Sequence, residues 1–239
     1  MKKAIYTLLL SLLAGVLFPL HAQENSQSVR RTVRKSSDNQ KVDDAIVYRD
    51  FRFAVGGGYA HRLGKTLRTG DAAVDKITDE LKNGFNIDME GQYFFKEHFG
   101  LGLNIYYNRQ TASGSGILTS GDILINNAKE HTTFIYVGPT ANLRYNLGET
   151  FTLYMSMGIG PVFFKDEANM DGGIYTMNKT AFGSYASISG DYNINHYIGL
   201  GLKLSAGGGT VSGKDFGQKD RLSLSNFMVT AYVSFRASK

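Results

Sequence analysis

The stretch FGLGLNIYY, residues 99–107, decides the fold. Phe99, Leu101, Leu103, Ile105 and Tyr107 fall on one parity; Gly100, Gly102, Asn104 and Tyr106 fall on the other. A strand sends successive side chains to opposite faces, so this is a strand with one oily side and one polar side. The same alternation recurs in seven further segments. Residues 51–62 set Phe51, Phe53, Val55 and Tyr59 against Arg52, Ala54 and Gly56. Residues 85–95 set Phe85, Ile87, Met89 and Tyr93 against Asn86, Asp88, Glu90 and Gln92. Residues 132–145 and 151–164 follow, with Pro139 and Pro161 on their oily faces and Phe134 and Tyr136 on the polar face of the first. Residues 181–192, 197–207 and 224–235 complete the set.

The links between these segments alternate short and long. Lys96–His98, Asn146–Thr150 and Asn193–His196 are of hairpin length and rich in turn residues. The other four links cover about residues 63–84, 109–131, 165–180 and 208–223. Antiparallel neighbours then gather every short link at one end and every long one at the other. Short turns on one side and long loops on the other are the mark of an outer-membrane barrel. With eight strands both termini fall at the short-turn end.

Alternation alone does not say which face points out. A soluble barrel of the lipocalin kind buries its oily face. Two features favour the inverse here. The polar faces are mostly Gly, Ser, Thr, Asn and Tyr, whereas a wetted outer surface carries many charges. An eight-stranded barrel also has an interior just wide enough for its side chains, which small residues fit and eight rows of Phe, Leu, Ile and Met would crowd. Backbone groups left unpaired in hydrocarbon cost several kcal/mol each, so a sheet there closes on itself. Crossing needs ~9–11 residues per tilted strand, which these segments supply. Aromatic residues at strand ends (Phe51, Tyr59, Phe95, Phe99, Tyr107, Tyr145, Phe151, Phe163, Tyr197, Phe235) suit the two interfacial girdles. The expected fold is all-β: an eight-stranded antiparallel up-and-down transmembrane β-barrel with a disordered N-terminal arm.

Residues 1–22 read as a signal peptide: Lys2 and Lys3, an apolar run from Ala4 to Phe18, then Pro19–Ala22 ahead of a cut after Ala22. Residues 23–46 are polar, with Arg30, Arg31, Arg34, Lys35 and Lys41, and read as a flexible basic periplasmic arm. Residues 47–239 form the outer-membrane barrel domain. The chain has no cysteine, which excludes a lipid-anchored lipoprotein and a disulfide framework. Its formal charge of +5 falls to +3 without Lys2 and Lys3, so charge gives no reason to expect nucleic acid.

On these segments the chain resembles the small outer-membrane β-barrel proteins of the OmpA transmembrane-domain and OmpX type, over residues 47–236. The resemblance implies architecture and location in a Gram-negative-type outer membrane. It implies outer-membrane lipids, lipopolysaccharide and the barrel-insertion machinery as partners, with Phe235 as the final aromatic residue that the machinery reads. Arg236–Lys239 follow that residue, a departure from the family pattern. The tethering role of a peptidoglycan-binding domain is not expected.

Six charged residues fall on polar faces: Arg52, Asp88, Glu90, Arg144, Asp191 and Lys203. Three cations and three acids removed from bulk water must pair. They are the expected lumen network that plugs the barrel, and a narrow channel or carrier for small solutes is the alternative. His61, His98, His131 and His196 lack metal-ligand spacing, and no cofactor is expected. No serine sits beside a histidine base in the pattern of a hydrolase, so catalysis is not expected. Glu167, Asn169, Asp171 and Gly172 partly match a calcium loop, but Asn178 stands where a bidentate Glu belongs. Val74, Ile77 and Leu81 mark a short amphipathic helix over Asp75–Leu81, and Gly-Ser runs at 113–116 and 119–121 mark a mobile loop. The expected role is that of a structural or surface-interaction protein whose extracellular partner the sequence does not name.

Overall fold

The computed structural model describes residues 51–64, 79–118, 123–148, 150–170, 173–212 and 222–237. The signal peptide and the basic arm lie outside the described residues, as do Val74 and Ile77 of the expected helix. Asp79 and Glu80 are helical, and Leu81 beside them is buried.

Eight strands build the fold: β1 (Phe51–Arg62), β2 (Asn83–Phe94), β3 (Phe99–Leu118), β4 (Ile123–Leu147), β5 (Phe151–Met170), β6 (Gly173–Asn193), β7 (Ile198–Val211) and β8 (Asn226–Ala237). Each pairs antiparallel with its sequence neighbour, β7 with β8 and β8 with β1, so the sheet closes. Leu222–Ser223 add a two-residue pairing to the end of β7. Closure removes the free edges that a bilayer does not tolerate.

The ladder fixes the barrel's geometry. Crossing pair by pair from Arg52 reaches Gln92, Gly102, Thr140, Gly158, Tyr185, Gly207 and Asn226, and Asn226 pairs with Arg62. One circuit therefore advances ten residues along β1, from 52 to 62. With a rise of about 3.3 Å per residue and about 4.8 Å between strands, that stagger tilts the strands by about 41° and sets a radius of about 8 Å. Such a cylinder holds side chains and little else.

The apolar faces point out. Leu101 is 61% exposed, Ile159 58% and Leu202 66%. A contiguous apolar surface of this kind wraps the whole ring, which water does not accept and lipid does. Phe51, Tyr93, Phe95, Phe99, Phe151, Tyr192, Tyr197 and Phe235 rim it at the short-turn end; Tyr59, Phe85, Tyr107, Phe163 and Phe227 rim it at the other. Phe99 to Tyr107 spans eight steps of a tilted strand, about 20 Å of membrane depth. The fold is a transmembrane barrel of the outer-membrane type.

Two sequence expectations are corrected at the long-loop end. The links 109–131 and 165–180 are not open loops: β3 with β4, and β5 with β6, continue as paired strands well beyond the aromatic rim. The Gly-Ser stretch 113–116 lies in β3, where the register shifts between Gly114 and Gly116 as a bulge; 119–121 fall outside the described residues. Glu167 and Asn169 belong to β5, and Asn178 pairs with Lys165, so these residues form a ladder rather than a loop wrapped round an ion. Within the membrane the β4–β5 pairing lapses between Tyr136↔Val162 and Thr140↔Gly158, where Pro139 and Pro161 lack N–H donors.

Candidate functional site

Alternation sends one parity of each strand into the lumen, the even-numbered residues of β1–β5 and β8 and the odd-numbered residues of β6 and β7. Allowing for the stagger, they sort into layers along the axis, and the layers differ in chemistry.

The layer nearest the short turns is ionic. Arg52 of β1 donates from Nε to Asp191 Oδ2 at 3.2 Å and from Nη2 to Asp191 Oδ1 at 3.0 Å, a two-point clasp. Its Nη1 donates to Glu90 and, at 3.1 Å, to Gln92 Oε1. Its guanidinium lies 4.1 Å from the Tyr154 ring centre and 5.3 Å from that of Tyr232. Glu90 is shared, because Lys203 Nζ donates to its Oε2 at 2.6 Å and to Asp88 Oδ1 at 2.5 Å. Asn104 Nδ2 donates to both oxygens of Asp88. Asp191 also accepts from Tyr232, from Ser234 Oγ at 2.6 Å and from Arg236 Nη2 at 2.8 Å.

Of the six residues singled out by sequence, five therefore join in one chain of contacts: Asp88–Lys203–Glu90–Arg52–Asp191. All five are buried, Asp191 fully and Arg52 to 1% exposure. Arg144 stands at the short-turn rim, where its Nε donates to the Glu97 carbonyl at 2.9 Å and its guanidinium lies 4.3 Å from the Phe94 ring centre. Sequence reasoning misses Arg236, which follows Phe235 and reads as a tail. The strand runs on to Ala237, and the parity of 236 is the available signal. With Arg236 the chain of contacts holds three cations and three carboxylates. Charge balance is what keeps such a buried cluster tolerable.

A tyrosine layer follows. Tyr106, Tyr136 and Tyr185 are buried with ring centres 5.2, 5.5 and 6.0 Å apart, and Gly207 leaves room for the Tyr106 ring. Above it apolar side chains enter the lumen beside buried Asn108, Gln110 and Asn226, with Gln110 Nε2 donating to Asn226 Oδ1 at 2.9 Å. Ala60, Phe134, Val162, Phe164, Ala181, Val211 and Leu224 pack there, with Phe134 and Phe164 rings 5.1 Å apart. Arg62 is buried over those two rings, at 5.5 and 5.9 Å. The expectation of small residues in a narrow lumen is therefore met only in part: glycines and serines make room, but large charged and aromatic side chains fill most of the short-turn half, and apolar ones stand beside buried polar ones in the other.

At the hairpin rim, beyond the membrane, Glu130 of β4 and Asp166 of β5 share a hydrogen bond, and Thr132 Oγ1 donates to Asp166 at 3.3 Å. Burial first, then the Asp166 charge, push the Glu130 carboxyl up to about 7. Burial likewise raises that of Asp166. Among the described residues no set of three His, Cys, Asp or Glu side chains comes together to hold a metal. His98 stacks on Tyr145, with ring centres 5.6 Å apart, and His61 contacts Asn83 at 2.9 Å.

No family model and no curated protein matches the chain. Solved structures do. A major outer membrane protein from Thermus thermophilus is 10% identical, with 78% of this chain and 98% of that one covered at a TM-score of 0.49. Neisserial surface protein A is 11% identical, covering 78% and 97%, with a TM-score of 0.47. Ail, the attachment invasion locus protein of Yersinia pestis, is 16% identical, covering 79% and 100%, with a TM-score of 0.43. The architecture this chain displays is that of the small outer-membrane β-barrels, and the structures similar to it are of the same kind.

Proposed function

We propose that this chain is an integral protein of a Gram-negative-type outer membrane, with a structural or surface-interaction role, a closed lumen and no catalytic machinery. Its expected partners are outer-membrane lipids and lipopolysaccharide, the barrel-insertion machinery during assembly, and a partner met by the extended β3–β4 and β5–β6 hairpins. The observation that carries the reading is the Asp88–Lys203–Glu90–Arg52–Asp191 chain, buried and internally paired across a cylinder of about 8 Å radius. Opening a path would require parting charges that have little water to replace their partners. The apolar layer around Phe134 and Phe164 closes the same axis a second time.

Planar-bilayer recording of the refolded barrel tests this. The expected record shows no conductance steps at moderate voltage. Reproducible single-channel steps would replace the closed-lumen reading with that of a narrow channel or carrier.

A further inference from the structure

The long-loop mouth of the lumen holds charges of both signs that do not pair with each other. Arg62, the last residue of β1, is 9% exposed, and its Nε is buried without an acceptor. Gln110 of β3 stands at nearly the same height, and its buried Oε1 likewise has no donor. By the stagger of the ladder, Asp166 and Glu130 stand roughly 8 Å further out along the axis. The two acids are hydrogen-bonded to each other, and the Arg62 charge bears on both. Among the described residues neither forms an ion pair with it.

Opposite charges this close in a poorly hydrated site ordinarily collapse onto one another. Two features keep them apart here. The guanidinium is held down by the Phe134 and Phe164 rings, 5.5 and 5.9 Å from its centre. The acids share a proton, and Thr132 donates to Asp166 as well. Glu130, Asp166, Ala168 and Met177 are partly exposed, whereas Phe134 and Phe164 beneath them are buried. The result is a bowl with wetted acidic walls and a closed aromatic floor that carries an unanswered cation. Lys179 faces the same bowl and already has a partner.

We propose that this mouth binds a small zwitterion of the amino-acid class, its carboxylate on Arg62 and its ammonium group on Asp166 and Glu130. One proton shared between two carboxyls leaves a single negative charge, so the acid pair and Arg62 sum to zero. A ligand with one charge of each sign and no net charge matches that balance. A lone anion would face the acids, and a lone cation would face the guanidinium. Arg62 offers a planar fork for two carboxylate oxygens while its flat side stays on the rings. Gln110 Oε1 is a further acceptor at the floor. The site lies outside the Phe134–Phe164 closure, so it captures solute without passing it. It goes beyond the surface role proposed above and rests on the same membrane barrel.

The test titrates the full chain, refolded in detergent micelles at pH 6, with glycine and with its two halves, acetate and methylammonium. Arginine Nε–H and backbone amide resonances report binding, and a heat-dependent gel shift reports the fold. Glycine is expected to give saturable shifts at Arg62 and at the Thr132 and Asp166 amides, with each half binding at least tenfold more weakly. Arg62→Gln and Glu130→Gln/Asp166→Asn each lose roughly tenfold to a hundredfold, the worth of a charge-assisted hydrogen bond. Lys96→Gln, at the short-turn rim, binds as wild type does. Should Arg62→Gln fail to fold, the acid double variant decides. Absence of saturable shifts in folded wild type, or undiminished glycine binding by the folded double variant, would overturn the site. Acetate binding as tightly as glycine would also overturn it, by making the mouth a plain anion site. Wild type without a heat-dependent gel shift would instead overturn the barrel reading itself.

Discussion

Arg52 and Asp191 stand 139 positions apart in sequence, yet they form the clasp on which the lumen network turns. Arg52 comes from the first strand and Asp191 from the sixth. Their contact is possible because β7 and β8 return the sheet to β1 with the register that sets Gly201 beside both Asp191 and Tyr232. The ring and its charges therefore specify each other.

Lys203→Met leaves Asp88 without its cation and Glu90 with Arg52 alone. Removing one partner from a buried ionic cluster costs about 3–5 kcal/mol. Urea unfolding in lipid vesicles, followed by tyrosine fluorescence or gel shift, reads this loss. Adding Asp88→Asn restores part of it. Additive losses in the double variant would mean that Lys203 and Asp88 do not act as a pair.

Gly201→Ala places a methyl group against the Tyr232 ring and hydroxyl and the Gly190 carbonyl. Tyr232 must then move away from Asp191, to which it donates. The expected destabilisation is about 1–3 kcal/mol, typical of overpacking. In the Tyr232→Phe background, where that hydrogen bond is already absent, the same substitution costs less. An unchanged cost there would point to the backbone contact alone.

Leu202→Arg puts a charge on the lipid face near the middle of the apolar band, with an expected cost of about 2–4 kcal/mol in bilayers. Ser205→Ala, three residues on and facing the lumen, removes a hydroxyl that has no hydrogen-bond partner. It changes stability by less than about 1 kcal/mol. Comparable effects of the two changes would count against the assignment of faces.

The Glu130 carboxyl binds its proton more tightly folded than unfolded, about 7 against about 4.3. Protonation therefore favours the folded rim. The contribution is full below about pH 4.3 and is lost as pH rises through about 7. Hydrogen exchange of the amides around Thr132 and Asp166 should quicken across that window, beyond the intrinsic rise with pH. Glu130→Gln should abolish the excess. A retained excess in the variant would assign the effect to another group.

Within the bilayer the strands are legible in sequence because two solvents of opposite character bear on the two faces. The alternation gives β1 its observed bounds, 51–62, and β3 and β5 their starts at Phe99 and Phe151. Beyond the aromatic rim both faces of a strand meet water, so period-two contrast fades. Gly173–Thr180, with the sequence GIYTMNKT, alternates nothing and reads as loop although it pairs residue by residue with β5. The ionic half of the lumen is likewise visible, since a charge on a strand's lumen face must find its counter-charge across the bore. Its pairing pattern is not, because it depends on a stagger that emerges only when the ring closes. The apolar layer is hidden for a related reason. Phe134 and Phe164 sit at lumen parity, but parity says where a side chain points and not what it meets there.

The wiring of Asp191 has a bearing on assembly. Its donors arrive from the first strand (Arg52) and from the last (Tyr232, Ser234, Arg236), so no nascent hairpin on its own can neutralise it. A half-built sheet entering hydrocarbon would drag bare carboxylates and guanidinium groups with it. Joining of the N- and C-terminal strands and passage into the lipid must then proceed together, with electrostatics acting as the checkpoint that rejects incomplete or mis-registered intermediates.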